Sequence, residues 1–328
     1  MPELPEVEVV RAGLEPAVTG ASVSAVEVLD ERSLRRHDGP AEDFIQRVTG
    51  ARFATPERRG KFLWIPLLPS EMQESTQSDP AVSAQTGPID SLSPAFRNGM
   101  PPREALVIHL GMSGQVLLRE RAAARDRLTR VVLEVEHPDH GPLRIDFVDQ
   151  RIFGSMALDR LVQTPDDAEQ WIPSQVAHIA RDPLDPRFDD RAFVRALGRK
   201  RTTIKRALLD QTLISGIGNI YADEALWAAR VHYDQPTATL GRARATTLLA
   251  EVRLVLGKAL AEGGTSFDAQ YVNVNGASGY FSHSLNAYGQ QGEPCPRCGR
   301  PIVRESFMNR GSHFCSSCQR VRGVRPLS

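Results

Sequence analysis

The chain has 328 residues, of which 41% are hydrophobic, and its formal net charge is +0 at pH 7. This length and composition suffice for a buried core, and we expect two domains with a small appendage. Because the overall charge is neutral, any binding to nucleic acid needs a local basic face. No apolar run reaches the ~18 residues that a membrane span needs, and the chain shows no cationic and apolar signal peptide. We therefore expect a cytoplasmic protein without a membrane partner.

The first six residues form the most unusual stretch of the chain. Removal of Met1 would leave Pro2 as a free secondary amine beside the carboxylates of Glu3 and Glu6. An N-terminal amine titrates near pH ~8, so part of it is a neutral nucleophile at neutral pH. The alternative interpretation is an ordinary helix start, since Pro5 suits the first helical position and acidic residues suit the first turn.

Short strand patterns follow this first helix, whose apolar stripe is Val7, Val10, Leu14 and Val18. A helical patch near Phe44 interrupts the strands, which we predict over 22–29, 50–55, 62–68, 105–110, 115–118, 130–136 and 143–148. Many short strands behind one helix indicate a β-sandwich-like first domain. Residues 69–102 are rich in Ser, Pro, Gln and Thr, which predicts a flexible surface insertion.

Two positions in this domain are candidates for more than packing. Lys61 stands at the entry to an apolar strand, where a solvated strand-edge lysine is the alternative interpretation. Met112 stands between glycines in His109-Leu-Gly-Met-Ser-Gly114, and the two glycines predict a tight turn that projects its side chain. Met112 is therefore either core filler or an apolar wedge.

The pattern changes after residues 164–190, which are rich in Pro and Asp, show little strand pattern and indicate a hinge. Beyond it we predict helices over 190–197, 203–209, 220–229 and 242–261, so the second domain is mostly α.

A turn and a basic stretch in the second domain are candidates for phosphate binding. Two glycines expose backbone amides in Ser215-Gly-Ile-Gly-Asn219, and Asn219 is predicted to cap the next helix so that the turn binds an anion. An ordinary turn between helices is the alternative. The nearby basic residues either bind phosphates or form a solvated face; they are Arg195, Arg199, Lys200, Arg201, Lys205 and Arg206.

All the cysteines lie near the C-terminal end, in two CxxC pairs: Cys295, Cys298, Cys315 and Cys318. In an intracellular chain this spacing predicts one tetrahedral Zn²⁺ site at a β-hairpin, not a disulfide framework. Four thiolates close the coordination shell, so we expect the zinc ion to be structural. Arginines crowd the same segment, which indicates a cationic finger; a protein-docking module is the alternative.

In combination, these motifs resemble the formamidopyrimidine-DNA glycosylases, which are bifunctional base-excision repair enzymes. The matching segments are Pro2-Glu-Leu-Pro-Glu-Val-Glu8, His109–Gly114, Asp149-Gln-Arg-Ile-Phe-Gly154, Ser215-Gly-Ile-Gly-Asn-Ile-Tyr221, Gly279-Tyr-Phe281 and the cysteine finger. The resemblance implies an α+β fold. It would divide into an N-terminal β-sandwich domain with a leading helix at 2–174, a hinge at 175–186, a helix-two-turn-helix domain at 187–290 and a zinc finger at 291–322.

The resemblance also implies an activity. The protein would excise 8-oxoguanine and formamidopyrimidines from double-stranded DNA through a Schiff base on Pro2, and would then cleave the abasic site by β,δ-elimination. Glu3 would be the general acid and Glu6 would orient the N-terminus. Lys61 would contact phosphate or transfer protons, and Arg310 would grip phosphates and serve δ-elimination.

Further positions match the family's DNA contacts. Met112, Arg151 and Phe153 would fill the gap left by a flipped nucleotide, while Arg201 and Asn219 would contact phosphates. Residues 272–280 would form a mobile loop over the lesion base.

The chain departs from the family pattern in three places. Arg201 stands where lysine is frequent, Ile152 where a second arginine often follows, and Leu128-Thr129-Arg130 lacks a DNA-contacting histidine. We expect a monomer. A non-catalytic zinc-finger DNA-binding protein and an enzyme for oxidised pyrimidines stay open as alternatives.

Overall fold

The computed structural model describes residues 2–68, 102–265, 274 and 281–323. The predicted insertion at 69–102, apart from residue 102, and the predicted loop at 272–280, apart from Val274, lie outside the described residues. Within the described ranges, every helix is too short or too polar to cross a lipid bilayer.

The chain begins with helix α1 (Leu4–Val18), which buries the predicted stripe against the first domain. Glu3 precedes the helix, and its backbone N–H donates to the Glu6 carboxylate over 2.8 Å. Pro5 therefore occupies the second helical position, not the predicted first one. Its missing N–H costs nothing there, because the amides of a first helical turn have no intrahelical partner.

Ten strands among the described residues form one antiparallel sheet. They are β1 (Ser22–Val28), β2 (Arg52–Phe53), β3 (Glu57–Arg59), β4 (Phe62–Leu68), β5 (Glu104–His109), β6 (Gly114–Glu120), β7 (Thr129–His137), β8 (Gly141–Asp149), β9 (Ser155–Thr164) and β10 (Asp167–Pro173). The order is β10-β9-β5-β4-β2-β1-β7-β8-β6, with β3 paired to β4, and helix α2 spans Ala41–Val48.

The sheet folds over so that its two halves share one core. Ile65 and Ile108 from one half lie in the same buried cluster as Leu133 and Ile145 from the other half. Alternating apolar residues supply this inner face, as a half-buried strand requires. The predicted β-sandwich with a leading helix is confirmed.

Strand β10 corrects the expectation of little strand structure over residues 164–190. Within β10, Ile172 pairs with Val162 of β9 and is fully buried with Trp64 and Val176 on the outer face of the sheet. The register shifts between Asp167 and Trp171. That irregularity breaks the alternation of apolar residues on which strand prediction depends.

The second domain consists of helices α3 (Asp190–Arg199), α4 (Ile204–Leu208), α5 (Asn219–Ala228) and α6 (Arg242–Ala261), followed by the hairpin β11 (Val303–Phe307) and β12 (Arg310–Phe314). Its core joins all of these elements, and Phe307 and Phe314 of the hairpin belong to it. Leu4 from the start of the chain lies in this same core. The start of the chain therefore contacts both domains: helix α1 packs on the first domain, and Leu4 packs into the core of the second.

Helix α5 is buried along most of its length and holds the C-terminal segment. The Glu224 carboxylate accepts the backbone N–H groups of Ala287 and Tyr288, each over 2.8 Å. Arg297 donates to the carbonyls of Trp227 and Ala228 at the end of α5, and its guanidinium lies 3.8 Å from the Trp227 ring centre. A cation there also complements the negative end of the helix dipole.

We expect Glu57 of β3 to make folding stability depend on pH. Burial raises the pKa of its carboxyl to about 7, against the opposing charges of Arg59 and Arg11. The unfolded chain ionises this group near pH ~4.5, so folding loses stability as the pH rises from there through about 7, by on the order of 1–3 kcal/mol. Urea unfolding of the wild type and Glu57→Gln at about pH 5 and about pH 8 measures this. An equal pH dependence in both proteins would contradict the assignment to Glu57.

Candidate active site

The N-terminal segment is fastened to the turn that precedes helix α5. The Leu4 N–H donates to the Gly216 carbonyl over 2.9 Å, and Pro2 and Glu3 are buried. Gly216 has φ +86°, and a Cβ on it would lie 2.6 Å from the Leu4 side chain. This turn therefore needs glycine both for its conformation and for the close approach of the N-terminus.

The Glu3 carboxylate lies at the N-terminal end of α5. It accepts the N–H groups of Gly218 over 2.6 Å and Ile220 over 3.0 Å. Burial raises the pKa of Glu3; Lys61 and the backbone hydrogen bonds oppose this, and the nearby charge of Glu6 adds to it. A carboxyl whose pKa is raised keeps its proton to higher pH, as a general acid requires.

These contacts correct the prediction for Asn219. The N-cap of α5 is Gly218, and Asn219 is the first helical residue, with its side-chain amide donating to the Gly311 carbonyl over 3.1 Å. The turn does bind an acidic group, but that group is the carboxyl of Glu3, held by the amides of Gly218 and Ile220. The partner lies 215 positions away in the chain, and local spacing cannot reveal such a pairing.

Glu6 fixes the backbone on which Glu3 stands. One carboxylate oxygen accepts the Glu3 N–H, while the other accepts the Tyr221 hydroxyl over 2.5 Å and the Thr265 N–H over 2.7 Å. Burial and the charges of Glu6 and Glu3 raise the pKa of Tyr221 well above its ordinary value, so its hydroxyl stays a donor. The position of Glu6 fits the predicted role of orienting the N-terminus.

Lys61 and Arg310 share the electrostatic surroundings of Glu3. Burial lowers the pKa of Lys61, the charges of Glu3 and Glu6 oppose that shift, and the charge of Arg310 adds to it. The surroundings of Lys61 thus disagree with a solvated strand-edge lysine. The fold brings the start of β4, the N-terminus and the start of β12 to one place.

His109 also lies beside this group, although its role is not evident from the sequence. Its ring centre is 4.8 Å from that of Phe62, the residue after Lys61. Burial and the charges of Arg36, Lys61 and Arg35 lower its pKa to about 4, so the imidazole is neutral at neutral pH. The only sequence signal is its place at the head of the motif that contains Met112.

The predicted wedge residues lie on two turns joined by a buried carboxylate. Asp149 accepts the Ser113 hydroxyl over 2.6 Å and the Gly154 N–H over 2.7 Å. Met112 is 41% exposed and Phe153 is 45% exposed. This exposure excludes core filling for Met112.

Arg35 holds the second of these turns. It donates to the Ile152 carbonyl over 2.6 Å and to the Phe153 carbonyl. Ile152 adopts φ +54°, which is strained for a β-branched residue. These bonds to Arg35 support the strained turn, and the 117 positions that separate the partners explain why the sequence does not indicate them.

The basic stretch does not form a single solvated face. Arg195, Arg199, Arg201 and Arg206 are exposed, and Lys200 pairs with Asp210 over 2.5 Å. Lys205 is fully buried, which contradicts its predicted place on a phosphate-binding or solvated face. The short helix α4 turns it inward, where Asp223 provides a counter-charge.

The four predicted zinc ligands converge at the finger. The Sγ atoms of Cys295, Cys298, Cys315 and Cys318 all lie within 4.8 Å of one another. Zn–S bonds of about 2.3 Å in a tetrahedron place sulfur atoms ~3.8 Å apart, so the group fits one zinc ion. Four thiolates leave no open coordination position, and the zinc ion is structural.

A single added methyl group tests the contact between Glu3 and the turn. A Cβ on Gly218 would lie 2.3 Å from the Glu3 carboxyl carbon, whereas one on Gly198 of α3 meets nothing within 4 Å. For the excision activity that the sequence resemblance implies, we expect Gly218→Ala to lower the rate at least about 10²-fold, because a displaced catalytic group loses that much. Gly198→Ala should keep full activity. Single-turnover rates on a lesion duplex measure both, and equal rates would contradict the importance of this contact.

Models of known families match the chain in three consecutive segments. The formamidopyrimidine-DNA glycosylase N-terminal domain matches residues 1–156, and its H2TH domain matches residues 179–270. A zinc finger described as found in FPG and IleRS matches residues 292–321.

Whole proteins match over nearly their full length. A protein of Leifsonia xyli subsp. xyli named formamidopyrimidine-DNA glycosylase is 61% identical over 98% of this chain and 100% of its own. One of the same name from Thermobifida fusca is 53% identical over 97% of each chain.

Solved structures also match over nearly the full length of the chain. Lactococcus lactis Fpg bound to abasic-site DNA has TM-score 0.74 and 27% identity, covering 97% of this chain and 99% of that chain. Its complex with N7-benzyl-Fapy-dG DNA gives the same values.

The fold, the four clustered cysteines and the buried Glu3 beside Pro2 agree with these matches, which place the chain among DNA glycosylases with a zinc finger. Within that class, the chain belongs to the formamidopyrimidine-DNA glycosylase family.

Proposed function

We propose that this protein excises oxidised purines, among them 8-oxoguanine and formamidopyrimidines, from double-stranded DNA in base-excision repair, and then cleaves the abasic site. The observation that carries the proposal is the buried Glu3 carboxyl, held by the amides of Gly218 and Ile220 next to Pro2 and close to Lys61. The Lactococcus lactis structures with abasic and Fapy-dG DNA support this substrate class.

The first step uses Pro2 and Glu3. The Pro2 nitrogen attacks C1′ of the flipped nucleotide and loses its proton, while the base departs with the bonding electron pair and takes up a proton. The Glu3 carboxylic acid then protonates O4′ as its bond to C1′ opens, which leaves an iminium between Pro2 and C1′. The raised pKa of Glu3 supports this role.

The two strand cuts draw on the iminium as an electron sink. In β-elimination a proton leaves C2′ and the C3′–O3′ bond breaks; in δ-elimination a proton leaves C4′ and the C5′–O5′ bond breaks. The phosphate takes the electron pair each time. Lys61, whose pKa is lowered by burial, is the proposed proton acceptor for the first cut. Arg310 would hold the departing phosphates for the second.

The remaining predicted residues would bind the duplex. Met112, Arg151 and Phe153 would replace the flipped nucleotide, and the exposure of Met112 and Phe153 supports this. Exposed Arg201 would contact phosphate, and Asn219 would do so beside its bond to the finger. We propose that residues 2–174 form the catalytic domain, 175–186 an interdomain hinge, 187–290 the helix-two-turn-helix DNA-binding domain and 291–322 the zinc finger. We also propose that the protein acts in the cytoplasm.

Borohydride trapping tests the proposal. Protein with processed Pro2 should form a covalent adduct with duplex that carries 8-oxoguanine opposite cytosine, because borohydride reduces the iminium. No adduct would favour the alternative of a non-catalytic DNA-binding protein. Excision of 8-oxoguanine should also exceed that of thymine glycol at equal enzyme; the reverse order would favour an enzyme for oxidised pyrimidines.

A further inference from the structure

Lys205 forms a buried ion pair that the proposed chemistry does not use. Its ammonium group, on α4, is fully buried and donates to the Asp223 carboxylate of α5 over 2.6 Å. It also donates to the Ser312 hydroxyl over 3.0 Å and to the Gly311 carbonyl over 3.3 Å. The lysine therefore joins two helices of the second domain to strand β12 of the finger.

The same carboxylate fastens the next residues of β12. Asp223 accepts the Ser312 hydroxyl over 3.1 Å and the His313 N–H over 2.8 Å. The Gly311 carbonyl accepts a second bond, from the Asn219 amide over 3.1 Å. The three residues that directly follow Arg310 are thus all bonded to α4 or α5.

Stability alone does not explain such a pair. Removing two charges from water costs several kcal/mol per ion, and replacing a buried ion pair by apolar side chains is often neutral or stabilising. Hydrogen bonds to ionised groups are, however, strict in distance and direction. What the pair supplies is a defined position for the start of β12.

The finger has further attachments that do not involve the pair. Arg297 binds the end of α5, Gln319 donates to the Val231 carbonyl over 2.9 Å, and Phe307 and Phe314 lie in the core of the second domain. Loss of Lys205 would therefore leave the finger attached while it removes two of the hydrogen bonds to the residues that follow Arg310, those to Gly311 and Ser312. The charge of Arg310 lowers the pKa of both Lys61 and Lys205, so Arg310 is near enough to act on the proposed catalytic groups and on the pair.

We propose that Lys205, together with Asp223, is a positioning residue that holds Arg310 against the phosphates of the cleaved intermediate and so sets how far the reaction proceeds from β- to δ-elimination. The inference rests on the proposed lyase function. Lys205 acts through the backbone of Gly311 and Ser312 and does not touch the substrate.

Product ratios from a preformed abasic-site duplex test this role. Lys205→Met should lower the ratio of δ- to β-elimination product at least about tenfold, as Arg310→Ala should, because small displacements of a catalytic group have large effects. The rate of borohydride trapping should stay within about threefold of wild type, since Pro2 and Glu3 are untouched. A general loss of folding would lower both readouts together.

Two further variants serve as controls for the effect of Lys205→Met. Lys205→Met with Asp223→Asn removes the pair without leaving a buried charge, and should lower the ratio equally. Lys258→Met removes a solvent-exposed lysine of α6 and should leave the ratio unchanged. Zinc content is measured for each variant. If the wild type makes both cuts, an unchanged ratio in a zinc-loaded Lys205 variant overturns the inference; if the wild type forms no adduct, the proposed function itself fails.

Discussion

Protein that retains Met1 should form no borohydride-trapped adduct and should incise 8-oxoguanine duplex at least about 10³-fold more slowly than processed protein, because loss of a covalent nucleophile typically costs more than that. With Met1 in place, the Pro2 nitrogen is part of a tertiary amide. Its electron pair is delocalised into the peptide carbonyl and cannot attack C1′. The two forms differ only in the presence of Met1.

Intact mass separates the two forms, and fluorescence anisotropy with an undamaged duplex supplies the control. Processed and unprocessed protein should bind undamaged duplex alike, since the basic finger and the exposed arginines are the same in both. Equal incision by both forms would exclude Pro2 as the nucleophile and would direct attention to Lys61, the half-buried amine near Glu3.

Glu3→Gln should slow base excision about 10²- to 10⁴-fold, the range expected for loss of a general acid. The amide keeps the shape of the carboxyl but cannot give up a proton at neutral pH. It also has a single acceptor oxygen, whereas the carboxylate accepts the Gly218 and Ile220 N–H groups with separate oxygens. One buried N–H then faces an NH₂ group, which should lower the unfolding free energy by about 1–3 kcal/mol.

Glu224→Gln provides a matched control for that loss of stability. Glu224 is also buried, its carboxylate also accepts backbone N–H groups, and burial also raises its pKa. Unlike Glu3, it lies in the middle of α5. Its variant should lose comparable stability and no more than about tenfold in excision rate, since it removes no proton donor. Single-turnover excision and urea unfolding measure both variants. A Glu3→Gln rate within tenfold of wild type would remove Glu3 from the role of acid.

The parts of the site that local chemistry specifies are evident in the sequence. Two CxxC pairs can converge on one metal ion whatever surrounds them, and the four Sγ atoms do converge. The glycines beside Met112 predict an exposed turn, and Met112 is exposed. The regular apolar stripe of α1 and the long helix α6 need only nearest-neighbour spacing to be recognised.

Other features depend on contacts between residues that are distant in the chain, and the predictions from local sequence were wrong for these features. Asn219 has the chemistry of a helix cap, yet the amides near it are satisfied by Glu3 from the first domain. Lys205 belongs by composition to a basic stretch, yet a carboxylate on the next helix makes its burial tolerable. Strand β10 is defined by its partner β9, because its own alternation is broken.

The sequence by itself therefore determined the chemical inventory: a proline that would become an N-terminal amine beside two carboxylates once Met1 is removed, candidate wedge residues on glycine-containing turns, and a four-thiolate zinc site. Only the tertiary structure decided which groups act on one another. Glu3 acquires its raised pKa from burial at the start of α5, and Arg310 acquires its place from a strand bonded to Lys205 and Asp223. The physical reason is that burial and long-range electrostatics depend on what folds around a side chain, and local spacing carries no record of that.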